Sequence, residues 1–114
     1  MPPEAQSPIG REVVVTVDRP LGSSHPDYPE MVYEVNYGYV EGLLAADGDW
    51  QDAYILGIDK ALKNFSGRVI AVIHRRDDME TKWVVASEGS RFSQEEIKKQ
   101  TAFQEKYFES WVES

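Results

Sequence analysis

The chain has 114 residues, no cysteine, and 20 acidic against 12 basic side chains, which gives a formal net charge of −8. This length fits one domain with a modest core, and the lack of cysteine excludes disulfides and thiolate zinc sites. The negative charge makes nucleic acid and anionic membranes poor partners. The N-terminal residues lack the basic and apolar regions of a signal peptide, and no apolar run is long enough to span a membrane. We therefore expect a soluble cytoplasmic protein.

The first half of the chain begins with a segment rich in proline and small polar residues. This composition predicts a disordered leader over residues 1–10 and a single folded domain over residues 11–114. The β-branched residues 13–17 predict a strand that ends at Pro20. Residues 21–30 contain glycine and two prolines and predict an irregular loop.

Several short apolar runs follow. Residues 31–40 are predicted to be mostly extended, with a bulge or bend at Gly38. Further strands are predicted over residues 53–58, 68–74 and 82–86. Residues 59–67 are expected to form a helical turn or loop that closes at Ser66 and Gly67.

The C-terminal tail has a helical pattern. Ser93 precedes Glu96 by three residues, which is the signature of a capping box. Apolar side chains then recur at roughly helical spacing over residues 95–113, namely Ile97, Phe103, Tyr107, Phe108, Trp111 and Val112. Such a face more often covers a core than lines a cofactor pocket. Five short strands followed by one docking helix predict a mainly β fold, a small closed or partly closed barrel.

Three carboxylates lie within six residues at Asp47, Asp49 and Asp52. Asp47 and Gly48 predict a tight turn. Crowded carboxylates repel one another unless they are solvated or bound to cations, and a site rich in oxygen suits Mg²⁺ or Mn²⁺. A calcium EF-hand is a poor fit, because Asp52 and Ile58 stand where that loop requires Gly and Glu. An exposed acidic hairpin and a metal site are both open interpretations.

The acidic excess is local. Residues 18–52 contain eight acids and one base, Arg19, whereas the remainder contains 12 acids and 11 bases. This distribution favours a cation-loaded site over a uniformly acidic surface.

A second polar cluster, residues 74–82, links two predicted strands. By itself it is typical of a solvated loop. Because loops at one rim of a small barrel meet, its carboxylates and Lys82 could face the first acidic cluster. Carboxylates that hold metals, together with cations and phenols that bind phosphate oxygens, are what metal-assisted hydrolysis of a phosphoanhydride requires.

Three segments in this order resemble the soluble family I inorganic pyrophosphatases. They are V-T-V-D-R-P at 15–20, Y-E-V-N-Y-G-Y at 33–39 and D-G-D-W-Q-D at 47–52. The last is similar to the family signature D-G-D-P-x-D, with Trp50 in place of proline. The resemblance runs from residue 13 to about residue 86 and is weaker through the terminal helix. It implies an OB-like five-stranded barrel with a C-terminal helix, Mg²⁺-dependent hydrolysis of pyrophosphate to phosphate, and a homo-oligomer.

The resemblance also implies roles for individual residues. The metal ligands would be Asp47, Asp52 and Glu80 for the tightest Mg²⁺, with Mn²⁺ as a substitute, Asp77 or Asp78 for an ion that arrives with substrate, and Asp18 for a further ion held through water. Asp52 would bridge two ions and thereby lower the pKa of the water they share. Asp49 would be the general base. Tyr37, Lys82 and Tyr107 would contact phosphate oxygens.

The chain departs from the family at its phosphate-binding cations. Residues 21–32 contain no Lys or Arg, and Phe108 stands where the family has a Lys. The candidate replacements are Arg19, His25, Arg75 and Arg76. Alternation along a strand allows at most one of the last two to face the site. Three functions follow: a pyrophosphatase, a hydrolase of another small phosphoanhydride or organic diphosphate such as a nucleotide or prenyl diphosphate, and a metal-binding regulatory barrel without catalysis.

Overall fold

A computed structural model describes residues 7–45, 48–76 and 80–114. Its elements are β1 (Glu12–Arg19), β2 (Asn36–Leu44), β3 (Trp50–Ile55), β4 (Asn64–Arg75), β5 (Thr81–Ala86), α1 (Gln94–Glu105) and β6 (Ser110–Glu113). The predicted mainly β fold with one C-terminal helix is confirmed. Among the described residues, no helix is long and apolar enough to cross a membrane.

Five strands form a closed barrel in the order β1-β2-β3-β5-β4, and the pairing of β4 with β1 completes the ring. The β3–β5 pair is parallel, and the other pairs are antiparallel. Strand β6 lies outside the ring and pairs with the end of β4. The predicted small OB-like five-stranded barrel is therefore confirmed, with a sixth strand added to it.

Two predicted elements were wrong. Residues 64–67 belong to β4, because Ser66 and Gly67 pair with β1 and close the barrel. A Cβ on Gly67 would lie 2.6 Å from the carbonyl oxygen of Ala86, so this glycine permits close strand packing and does not mark a turn. The helix predicted over residues 95–113 ends at Glu105, because residues 110–113 satisfy their backbone hydrogen bonds on β4.

Side chains alternate between two buried clusters along the central strands. In β3, Ala53 and Ile55 belong to one cluster, whereas Tyr54 belongs to the other. Helix α1 covers the cluster that contains Tyr54, which we call the second cluster, with Ile97 and Phe103. The capping box at Ser93 forms as predicted. Burial of both faces explains why these strands are nearly continuous apolar runs.

The N-terminal segment contacts the barrel before the predicted domain start. Residues 1–6 of the predicted leader lie outside the described residues. Ile9 packs against the first cluster, and the Gly10 amide donates a 2.8 Å hydrogen bond to the carbonyl oxygen of Val69. Ile9 and Gly10 thus add contacts to the barrel ahead of β1.

Candidate active site

A β-bulge at the end of β1 places two consecutive charged residues at one cavity. Val17 pairs with Gly38 and Arg19 pairs with Tyr37, which leaves Asp18 as the extra residue. Consecutive residues of a regular strand point to opposite faces, but Asp18 and Arg19 both line the cavity. The bulge re-aims these side chains, a common use of bulges near functional sites.

The parallel pairing of β3 with β5 brings Asp52 beside Lys82. The Lys82 ammonium lies 2.6 Å from Asp52 Oδ2 and 3.5 Å from Glu80 Oε2. Lys82 also lies 5.8 Å from the ring centroid of Tyr37, on β2. Residues from three strands and one connecting segment thus form a compact charged cluster.

Arg75, the last residue of β4, is a second buried cation. Its Nε and Nη2 donate to the two carboxylate oxygens of Glu105 at 3.1 and 2.8 Å, and Nη1 lies 3.2 Å from Glu80 Oε2. The Phe108 ring packs on the guanidinium, 3.7 Å from centroid to Cζ. Arg76 instead has 72% of its side chain exposed and contacts Glu109. Of the two candidate arginines, Arg75 is the one at the site.

A chain of hydrogen bonds continues from Glu105 along the buried side of the cavity. Tyr54 Oη donates to Glu105 Oε2 at 2.6 Å and accepts from Gln104 Nε2 at 2.7 Å. Tyr33 Oη donates to Gln104 Oε1 at 2.9 Å and accepts from Arg19 Nη1 at 2.8 Å. The end of α1 therefore fixes the positions of both cavity arginines relative to each other.

The cavity has a volume of about 570 Å³. Its lining includes five of the site residues that the sequence predicted, namely Asp18, Tyr37, Asp52, Lys82 and Tyr107. It also includes the three candidate replacement cations Arg19, His25 and Arg75. Tyr107 was predicted to lie on the C-terminal helix. It reaches the cavity instead from the turn that follows α1.

The other site residues predicted from the sequence do not line the cavity or lie outside the described residues. Glu80 contacts the cavity residues Arg75 and Lys82 without itself lining the cavity. Asp49 is exposed in the β2–β3 connection and does not line the cavity. Asp47, Asp77 and Asp78 lie outside the described residues. In the described part of the chain, no group of three His, Cys, Asp or Glu is arranged to hold a metal ion. The metal site and the role of Asp49 stay predictions.

Burial and neighbouring charges perturb the groups at the cavity. Burial and the Asp52 carboxylate raise the pKa of Asp18, and they outweigh the opposing effect of Arg19. Burial lowers the pKa of Lys82, but Tyr37 and Asp52 outweigh it, so the pKa is raised and the ammonium stays charged at neutral pH. Burial also raises the pKa of Tyr37, which keeps its hydroxyl protonated.

Sequence reasoning missed part of the aromatic lining. The cavity residues that it did not assign to a site are Tyr28, Glu30, Met31, Tyr33, Gln104 and Phe108. Most of them lie in or next to the irregular segment before β2, where Ser24 pairs with Val32 in an isolated bridge. The motif at 33–39 was a signal for Tyr33, but nothing in the loop composition indicated which way the loop folds.

Solved structures of inorganic pyrophosphatases are similar to this chain. The enzyme from Ehrlichia chaffeensis matches with a TM-score of 0.70 and 14% identity over 95% of this chain and 88% of that one. The Coxiella burnetii protein matches with a TM-score of 0.65 and 17% identity over 96% and 86%. The Helicobacter pylori protein matches with a TM-score of 0.60 and 20% identity over 94% and 84%. The chain has the fold of inorganic pyrophosphatases.

The resemblance inferred from the three sequence segments is thus confirmed as a likeness of fold. No protein-family model matches the chain, and no curated protein matches it by sequence. The likeness to these solved structures is therefore one of fold at 14–20% sequence identity.

Proposed function

We propose that this protein is a Mg²⁺-dependent hydrolase of phosphoanhydrides and that inorganic pyrophosphate is its substrate. The pairing of Asp52 with Lys82, beside Tyr37 and Asp18 in one cavity, is the observation that carries the proposal. Each of these four residues comes from a different strand of the barrel. The similar solved structures are inorganic pyrophosphatases, which supports the same reaction here.

The chemistry of the carboxylates fits a hard divalent cation. Burial is the main cause of the raised pKa of Asp18, and the Asp52 carboxylate adds a smaller repulsion that a bound Mg²⁺ would relieve. Among the described residues, Asp52 and Glu80 would bind the tightest ion, and Asp18 would bind a further ion through water. Asp47 and one of Asp77 and Asp78 would complete the ligand set. When bound, the metal would lower the pKa of a water molecule and polarise the phosphate.

The protein's own side chains would bind substrate and move a proton. Lys82 and Arg75 would neutralise phosphate oxygens, and the Tyr37 hydroxyl would donate a hydrogen bond to one. Both cations already have carboxylate partners, so substrate would share them with Asp52, Glu80 and Glu105. Asp49 would accept a proton from the attacking water.

Phosphate release from pyrophosphate by the full chain, with and without Mg²⁺, tests the proposal. We expect release only with the metal, and a loss of turnover of about 100-fold or more in Lys82→Met. Lys99→Met, on the exposed face of α1, is the matched control and should behave as the original protein. Mg²⁺ binding without phosphate release from any phosphorylated compound would instead indicate a regulatory barrel without catalysis.

A further inference from the structure

The cavity offers more aromatic surface than inorganic pyrophosphate can contact. A volume of about 570 Å³ falls within the range typical of pockets for organic ligands. Lys82 and Arg75 form a cationic part of the lining that suits phosphate. Pyrophosphate is smaller and has no apolar surface, so the rest of the lining would have no partner in such a complex.

Exposed aromatic rings are concentrated at this cavity. Among the described residues, five large aromatic side chains are strongly exposed, and three of them line the cavity: Tyr28 at 60%, Tyr107 at 65% and Phe108 at 43%. His25 contacts the Tyr28 ring at a centroid distance of 5.1 Å and lies nearly parallel to Tyr33 at 6.3 Å. Rings held in this way next to a phosphate site are surfaces on which another ring can stack.

The position of Tyr28 is set by its loop. The Met31 amide donates to the Tyr28 carbonyl at 2.9 Å, and the His25 amide donates to the Met31 carbonyl at 2.9 Å. The Asp27 amide donates to His25 Nδ1 at 3.0 Å. These bonds fold the backbone of the segment into a compact turn, which places the Tyr28 ring at the cavity against His25 and reduces the backbone ordering needed when a ligand binds.

Polar atoms among these rings favour an aromatic ligand over an aliphatic one. Arg19, His25 and Glu30 line the same cavity, and a hydrocarbon chain would desolvate them without giving them hydrogen bonds. A heteroaromatic base can stack on the rings and hydrogen-bond at its edge. The lining thus offers rings and polar atoms that can bind a nucleobase, together with cations that can bind phosphate groups.

We infer that the cavity takes a nucleoside diphosphate, with its base on the aromatic lining and its terminal phosphate near Lys82. The hydrolytic step rests on the proposed function. The oxygen of water forms a bond to the terminal phosphorus, and the bond from that phosphorus to the bridging oxygen breaks. The nucleoside monophosphate leaves with the bridging oxygen and its electron pair. The proton from water passes to a site carboxylate and then to solvent.

Binding and phosphate release with adenosine diphosphate, geranyl diphosphate and pyrophosphate test this inference. We expect kcat/KM and affinity for adenosine diphosphate to exceed those for geranyl diphosphate by about 10-fold or more. Tyr28→Ala should lower the ratio of adenosine diphosphate to pyrophosphate kcat/KM by about 5-fold or more, the scale of one lost stacking contact. Trp111→Ala removes a similarly exposed ring outside the cavity and should leave that ratio unchanged.

The outcomes separate the two proposals. Hydrolysis of pyrophosphate with neither binding nor hydrolysis of adenosine diphosphate would overturn the inference and leave the proposed function intact. An unchanged ratio in Tyr28→Ala, or a preference for geranyl diphosphate, would also overturn it. Tight binding of adenosine diphosphate that Tyr28→Ala weakens, without release of phosphate from either compound, would support the inferred ligand and refute the proposed hydrolysis.

Discussion

Arg75, the last residue of β4, and Arg76, the next residue in the chain, differ sharply in exposure. Only 5% of the Arg75 side chain is exposed, and it lines the cavity, whereas Arg76 faces solvent. The expectation that at most one of them faces the site is confirmed. Which of the two does so was not predictable, because it depends on the strand register and on Glu105, which is distant in sequence.

Arg75→Lys should raise KM for the diphosphate substrate by about 10-fold or more, whereas Arg76→Lys should be nearly silent. A lysine keeps the charge but loses the forked contact with Glu105, and a charge-assisted contact is worth roughly 1.5–3 kcal/mol. Steady-state kinetics on both variants, with thermal melts to confirm folding, measure this. Equal KM values for the two variants would mean that Arg75 only supports the fold.

The acidic pair Asp49 and Asp52 should have separable roles. Asp52→Asn should weaken Mg²⁺ binding and abolish turnover, because Asp52 is proposed to bridge two ions. It should also lower the stability of the metal-free protein, since Lys82 loses its 2.6 Å partner. Asp49→Asn should leave metal affinity nearly intact and reduce turnover by about 100-fold or more. Calorimetric titration with kinetics distinguishes the roles. A loss of metal in Asp49→Asn as severe as that in Asp52→Asn would make Asp49 a ligand.

Asn36, in the motif at residues 33–39, has a structural role. Asn36 is fully buried, and its Oδ1 accepts hydrogen bonds from the amides of Leu21 and Leu62, both at 3.0 Å. Its Nδ2 donates to the Lys60 carbonyl at 2.9 Å. Asn36 thus joins the segment after β1 to the segment between β3 and β4, which explains a polar residue in the core. Pattern reasoning located the motif, but it did not distinguish this anchor from the neighbouring site residue Tyr37.

At the scale of elements, Gly38 on β2 packs directly against the bulged end of β1. A Cβ at Gly38 would lie 1.9 Å from the carbonyl oxygen of Thr16 and 2.8 Å from Val17 Cα. The bulge that we predicted at Gly38 lies instead on the paired strand, at Asp18. Glycine therefore permits the close approach of β1 that turns Asp18 and Arg19 toward the cavity.

Gly38→Ala should destabilise the protein by about 3 kcal/mol or more, because backbone atoms and not a flexible side chain block the new methyl group. Gly89→Ala is the matched control. Its φ of +86° carries a cost of about 1–2 kcal/mol, but nothing lies within 4 Å of the new Cβ. Urea unfolding of both variants measures the difference. Similar losses in the two variants would show that β1 can move away at little cost.

The tail shows where periodicity fails as a guide to an element. Ile97 and Phe103 follow the helical pattern and are buried, but Tyr107, Phe108 and Trp111 are exposed. Their apparent helical spacing arises from a turn and a short strand that follow the helix. No Gly or Pro marks the end of α1, so the decisive factor is the unpaired edge of β4, which local sequence cannot reveal.

At the scale of the whole molecule, the five strands of the barrel and the barrel class were predictable from short apolar runs, whereas β6 was not. The closure was not, since it depends on pairing between β1 and β4, whose partners lie about 50 residues apart. The acidic surplus of residues 18–52 was also predictable. In the fold it lies partly at the cavity, where Asp18 and Asp52 are close enough to affect each other.

We predict that this charge distribution makes stability sensitive to divalent metal. Mg²⁺ at about ten times its Kd should stabilise the native state by about 1.4 kcal/mol, because only the folded chain brings the carboxylates together. That corresponds to a rise in Tm of several degrees. NaCl at the same ionic strength only screens the repulsion and should raise Tm less. Thermal melts in both salts, and after addition of EDTA, measure the effect.

Asp52→Asn supplies the control for this measurement, because it removes the proposed bridging ligand while leaving most of the acidic surplus in place. The Mg²⁺-specific part of the Tm rise should disappear in this variant, whereas the response to NaCl should persist. If the two salts raise Tm equally in the original protein, the acidic residues form an ordinary solvated surface. In that case Asp52 would act on substrate only through its 2.6 Å contact with Lys82.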